Sequence, residues 1–186
     1  MNLQELFEMQ AELDQHIIEN KGLQGVDLIA NTYVALQIEL SEMANEARWF
    51  KHWSNKKDPK DRNSLLEEIA DCISFFLSLA IKKNWKDALW IYEEQLDKDE
   101  WNGNLTGWYI EMIYFLNSSY ITIYNNDENE RHEKAYGFYK NQYDFRAAWI
   151  CFLNIVINGF GFTNEDLEQA YKAKNKVNFE RQATGY

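Results

Sequence analysis

One proline, Pro59, and eight glycines in 186 residues leave few points at which a helix is forced to stop. Proline removes an amide donor and crowds the preceding turn, so its scarcity favours long helices over a many-stranded sheet. Cysteine is scarce as well: Cys72 and Cys151 both sit inside apolar helical patterns and read as buried free thiols rather than a disulfide or metal site. No apolar run approaches the ~20 residues needed to cross a bilayer. The N-terminus is amphipathic and carries Glu5, Glu8 and Glu12, unlike a secretory signal, so the expectation is a cytosolic protein with no membrane partner. Positive charge is short too. Nineteen Lys and Arg against thirty Asp and Glu leave a formal charge of −11, which repels a phosphate backbone and argues against nucleic acid as a partner. A phosphorylated small molecule then requires cations and a local basic cluster. Histidine is limited to His16, His52 and His132, none with a Glu three residues upstream, which excludes a di-iron carboxylate bundle.

What is abundant is apolar and aromatic: 46% and 16% of residues, with seven tryptophans. That content excludes disorder and suits one compact domain spanning 1–186. Leu3, Leu6, Phe7, Leu13, Ile17 and Ile18 recur at helical spacing and predict a first helix over 2–20, punctuated by Gly22 and Gly25. A second helix is expected from about Asp27, as N-cap, to about Trp53, then a loop from Ser54 to Arg62. Ser64 and Glu67 form a capping-box pattern that predicts a third helix running to about Lys83. A shorter helix is expected over 84–100, another over 104–126, a polar loop over 125–133, and a helix over 134–158. Gly159 and Gly161 mark a turn, and Thr163 with Asp166 predicts the cap of a last helix reaching about Arg181. The fold class is therefore all-α, an antiparallel helical bundle.

The chemistry concentrates in two segments, Glu39-Leu-Ser-Glu42 and Glu68-Ile-Ala-Asp71. A three-residue step turns about 300°, so each pair projects from one helix face on adjacent turns. Leu36, Leu40 and Met43 flank the first pair; Ile69, Cys72, Ile73 and Phe76 flank the second. The carboxylates thus lie at the edge of apolar stripes. The same spacing recurs at Glu5/Glu8, Glu165/Glu168 and Glu94/Asp97, where a solvated helix face explains it. Four carboxylates gathered at a bundle interface repel one another unless neutralised, and hard oxygen ligands select Mg²⁺ or Mn²⁺. Such a site suits phosphoryl chemistry. Glu46 and Glu67 read as supporting or surface residues.

Glu-x-x-Glu followed after 25 residues by Glu-x-x-Asp resembles the all-α NTP pyrophosphohydrolase superfamily that includes MazG-type enzymes. Three further stretches resemble the dimeric dUTPases of phages, some bacteria and trypanosomatids: Gln10-Ala-Glu-Leu-Asp14, Arg48-Trp-Phe-Lys-His-Trp-Ser54, and Tyr171-Lys-Ala-Lys-Asn-Lys-Val-Asn178 with Arg181-Gln and Gly185-Tyr186. Residues 85–145 carry no such motif and correspond to the variable insert of that family. The resemblance implies that Glu39, Glu42, Glu68 and Asp71 are the metal ligands. It also implies that Glu39 positions or deprotonates the water attacking the β-phosphorus, giving dUMP and pyrophosphate. Lys51, Lys174 and Arg181 become candidate phosphate contacts, while Lys172 and Lys176 read as surface charge. Gln10 or Asn178 is expected to pair with the base, Trp49 or Trp53 to wall it, and Asp14 to accept from the sugar. A homodimer follows from the resemblance. Another nucleotide such as dCTP is the alternative substrate, because an amide can turn to suit either pyrimidine. The tyrosine- and asparagine-rich stretch from Trp101 to Tyr143 would suit a protein partner, and some phage members bind transcriptional repressors.

Overall fold

The computed structural model describes residues 1–56, 59, 61–96 and 98–183. Asp97, Gly185 and Tyr186, which figure in the sequence reading, lie outside them. Among the described residues there is no strand, and the all-α expectation holds. The helices are α1 (Leu3–Lys21), α2 (Ile29–Ala47), α3 (Arg62–Lys82), α4 (Leu105–Ile121), α5 (Asn126–Tyr136), α6 (Lys140–Asn154) and α7 (Asn164–Ala183). No single helix among these residues is long and apolar enough to cross a membrane. The chain divides into two compact units, residues 1–84 with 163 onward, and Trp85–Phe162.

In the first unit α3 is central, packed by α1, α2 and α7, and α1 also meets α7. Its composition explains that position. Leu65, Ile69, Ala70, Cys72, Ile73, Phe76, Leu77, Leu79 and Ala80 are all buried, too wide a belt for a helix with only one apolar side. Leu6, Phe7 and Leu13 of α1, Leu36, Leu40 and Met43 of α2, and Leu167 and Tyr171 of α7 are buried with them. Each fully buried Leu, Phe or Met stabilises the unit by about 1.5–3 kcal/mol before the entropy of ordering is subtracted. Both cysteines are free and buried, as expected.

Several boundaries differ from the sequence expectation. The second helix stops at Ala47 rather than Trp53, because Arg48 turns left-handed (φ 65°) and its N–H closes on the Ala44 carbonyl. Trp49, Phe50 and Trp53 keep helical spacing but pack edge to face in the turn that follows. The residue before this helix is Leu28, with Asp27 Oδ1 accepting instead from the Ile29 N–H at 2.9 Å. The third helix opens at Arg62, capped by Asp61, whose carboxylate accepts from both the amide and the hydroxyl of Ser64. Ser64 therefore lies inside the helix. The Thr163–Asp166 cap of α7 is present with both reciprocal bonds.

In the second unit the expected helix over 84–100 is a set of 3₁₀ turns at Lys86–Leu89, Glu93–Leu96 and Lys98–Glu100. Side chains from α6 and the π-helical turn after it take the carbonyls that an α-helix would satisfy internally. Arg146 donates to the carbonyls of Ala88 and Trp90 and also to the Gln95 side chain, Trp149 to the Leu89 carbonyl, Asn154 to the Gln95 carbonyl, and Asn158 to the Leu96 carbonyl. The expected loop over 125–133 is instead helix α5, opened by a complete capping box between Asn125 and Glu128. His132 and Tyr136 of α5 then pack on Tyr143 of α6. The expected helix over 134–158 consequently begins at Lys140, after the left-handed Gly137, and ends in the π-helical turn Ile155–Gly159.

Candidate active site

Helices α2 and α3 bring the two acidic pairs together. One ligand oxygen from each of Glu39, Glu42 and Glu68 lies within 4.8 Å of the other two. Asp71 adjoins them: among the carboxylates acting on Glu39 its charge is the strongest, while Glu42 is the strongest acting on Glu68. The pairing of 39 with 71 and 42 with 68 is what two antiparallel helices produce. The apolar flanks do the positioning. Leu36, Leu40 and Met43 are buried on one helix and Ile69, Cys72, Ile73 and Phe76 on the other, which leaves the carboxylates at the rim. Glu39, Glu68 and Asp71 are half-buried and Glu42 is exposed.

This crowding has an electrostatic cost. Burial, then repulsion from Asp71, Glu42 and Glu68, pushes the Glu39 carboxyl up to about 7. Burial and the charge of Glu42 raise Glu68 as well. Asp71 is raised by burial, against the opposing pull of Lys174, whose ammonium lies 2.6 Å from its Oδ2, and of Arg181. With the Lys174 ammonium in contact with Asp71 alone, the four carboxyl groups keep an excess of negative charge at close range. The donor set is all carboxylate oxygen, the set hard divalent cations choose.

Helix α7 carries the basic side of the site. Tyr171, Lys174, Asn175, Asn178 and Arg181 recur at steps of three and four and therefore share a face. Lys174 and Arg181 line a cleft of about 300 Å³ together with Asn63 and Glu67 of α3. Asn178 accepts from Arg181 at 3.5 Å. Lys172 instead bridges Glu5 and Glu168, at 2.8 and 2.9 Å.

A second polar cluster spans α1, α3 and α7. Gln10 is 4% exposed, and its Nε2 donates to Asp14 Oδ1 at 2.8 Å. Asp14 Oδ2 accepts from Ser78 at 2.6 Å and from Lys82 at 2.5 Å, and Lys82 also donates to the Ser78 hydroxyl. Tyr171 Oη donates to Gln10 Oε1 at 3.0 Å and lies 3.3 Å from the Leu6 carbonyl, while accepting from Asn175 at 3.4 Å. Burial pushes the Tyr171 phenol further up from its usual value, so it stays a donor. Ser78 stands seven residues beyond Asp71 on α3, about 10 Å along the axis. Sequence reasoning passed over Ser78 and Lys82. The available sign was their placement: both interrupt an apolar run on the stripe that begins at Asp71.

Two further expected substrate residues lie in the turn after α2. Lys51 Nζ donates to Asn45 Oδ1 at 2.5 Å and to the Asn45 carbonyl at 3.2 Å, closing the turn after α2. Trp53 is 67% exposed, its ring set edge-on to Phe50 and His52.

No curated protein matches the chain. A family model described as dUTPase matches residues 2–186, end to end across both acidic pairs and the basic face of α7. The chain therefore belongs to the dUTPase family, whose members are all-α dUTP diphosphatases.

Proposed function

We propose that this dUTPase is Mg²⁺-dependent, with Glu39, Glu42, Glu68 and Asp71 as the metal ligands and Mn²⁺ acceptable to the same donors. The observation that carries this reading is the convergence of four half-buried or rim carboxyls on so little positive charge. When bound, the cation supplies charge neutralisation and a template for the triphosphate oxygens.

The remaining work falls to the chain's own residues. Glu39 orients the attacking water and accepts its proton. The water oxygen bonds to the β-phosphorus as the bond from that phosphorus to the bridging α–β oxygen breaks. dUMP departs with the bridging oxygen, and pyrophosphate is the second product. Lys174 and Arg181 hold the phosphate oxygens on which negative charge grows. Lys174 already faces the cluster through Asp71, which supports its place beside the phosphates.

Gln10 pairs with the base and Asp14 with the sugar. Their cluster meets α3 at Ser78, about 10 Å along the helix axis from Asp71. Asn178, Lys51 and Trp53 complete the substrate set, the last two from the turn after α2. The assembly we propose is a homodimer. Val34 and Ile38, 57% and 51% exposed one turn apart on α2, are the kind of apolar surface a second copy would cover.

The test offers each dNTP with Mg²⁺ and follows pyrophosphate release. Turnover of dUTP well above the other nucleotides, abolished by a chelator and restored by added cation, is the expected result. Equal turnover of all nucleotides, or activity that survives chelation, overturns the reading.

A further inference from the structure

A carboxamide can present its N–H and its C=O in either order. Turned one way it matches the O4 acceptor and N3–H donor of uracil; turned the other way it matches the N4–H donor and N3 acceptor of cytosine. An amide free to turn therefore discriminates poorly between the two. In this protein the Gln10 amide is not free. Asp14 offers acceptors only, so the atom facing its Oδ1 at 2.8 Å must be the nitrogen. Asp14 is held in that role by Lys82 and by the Ser78 hydroxyl, both donating to its other oxygen. On the far side the Tyr171 hydroxyl lies 3.0 Å from Gln10 Oε1 and 3.3 Å from the Leu6 carbonyl, so it can donate to either and suits both orientations of the amide; the constraint comes from Asp14. A turned amide would set N–H against N–H nowhere but would set carbonyl against carboxylate, inside a cluster where Gln10 is 4% exposed. Repulsion between buried acceptors is costly.

We infer that Asp14 is a positioning residue that locks the Gln10 amide in a single orientation, and that this lock makes the enzyme choose uracil over cytosine. The inference rests on the reading of Gln10 as the base contact. In the choice of base Asp14 acts through Gln10, apart from its proposed contact with the sugar, and Lys82 with Ser78 keeps the polarity running in one direction from α3 through α1.

The experiment measures kcat and KM for dUTP and dCTP in Asp14→Asn, Tyr171→Phe and Gln10→Met, with folding checked by thermal unfolding. Asparagine at position 14 both donates and accepts, so it releases the amide. The expected result for Asp14→Asn is a fall of roughly tenfold or more in the dUTP-over-dCTP ratio of kcat/KM, with dCTP turnover rising in absolute terms. Tyr171→Phe, with Asp14 still in place, shifts the ratio less and acts through KM. A purely structural role would lower both substrates by one factor, and an unchanged ratio in Asp14→Asn overturns the lock. Gln10→Met separates the two failures. If it changes the ratio while Asp14→Asn does not, Gln10 touches the base but is not locked. If neither changes it, the base contact itself is wrong and the lock falls with it.

Discussion

Glu39 shows what a single side chain contributes here. Its carboxyl is held at about 7 against an ordinary value of 4.5, so between those limits the folded protein keeps a proton that the unfolded chain has released. Stability carried by that proton is present below about 4.5 and is lost as pH rises through about 7. In the metal-free protein the unfolding temperature should therefore fall as pH rises from 5 to 8. Glu39→Gln should flatten that fall, since a neutral amide neither titrates nor repels Asp71. The same variant should lower kcat by about 10²- to 10⁴-fold while remaining folded, as loss of a proton acceptor implies. Pyrophosphate release and thermal unfolding on one preparation check both statements. The carboxyl pair was legible as a motif from its spacing and apolar flanks. The size of its perturbation was not, because it depends on Asp71 and Glu68 approaching from another helix.

At the scale of elements, α7 joins the basic cluster to the acidic one. Ending the chain after Asn178 removes Arg181, which acts on Asp71, and leaves Lys174 in place. KM for dUTP should then rise several-fold with little change in unfolding temperature; unchanged kinetics would make the last turns structural only. Helix α5 tests a different link. Its residues are polar on every side, so its start depends on the Asn125–Glu128 capping box rather than on burial. Asn125→Ala should cost the second unit about 1 kcal/mol, read as a lower denaturation midpoint. Polarity alone read as a loop over 125–133, yet the cap residues were in plain view in Asn125 and Glu128. The opposite error occurred over 84–100, where a helix was expected and Arg146, Trp149 and Asn154 drew the carbonyls outward instead. No local pattern announces that competition, since the donors lie some sixty residues downstream.

For the whole molecule, the metal proposal links binding to folding. A cation that meets ionised carboxylates in the folded chain and none gathered in the unfolded one must stabilise it. Mg²⁺ should raise the unfolding temperature, more at pH 8 than at pH 6, because protons compete for Glu39 and Glu68 at the lower value. A shift independent of pH would place the cation elsewhere. The homodimer is checked by sedimentation, with Val34→Lys and Ile38→Lys together expected to yield monomer if α2 forms the contact. A dimer that persists in that double variant puts its interface on another face.

Periodicity, caps and scarce breakers determined the helices of the first unit, short of their exact ends, and the all-α class, because those depend on neighbours within a few residues. They also determined that Glu39 pairs in phase with Glu42, and Glu68 with Asp71. The tertiary structure decided what those pairs meet: each other across antiparallel helices, and Lys174 from the far end of the chain. It also decided where α2 ends, how the carbonyls of 88–96 are satisfied, and which way the Gln10 amide points. Each of these is a contest among groups distant in sequence, settled by burial, where an unpaired donor or an unneutralised charge has no water to turn to.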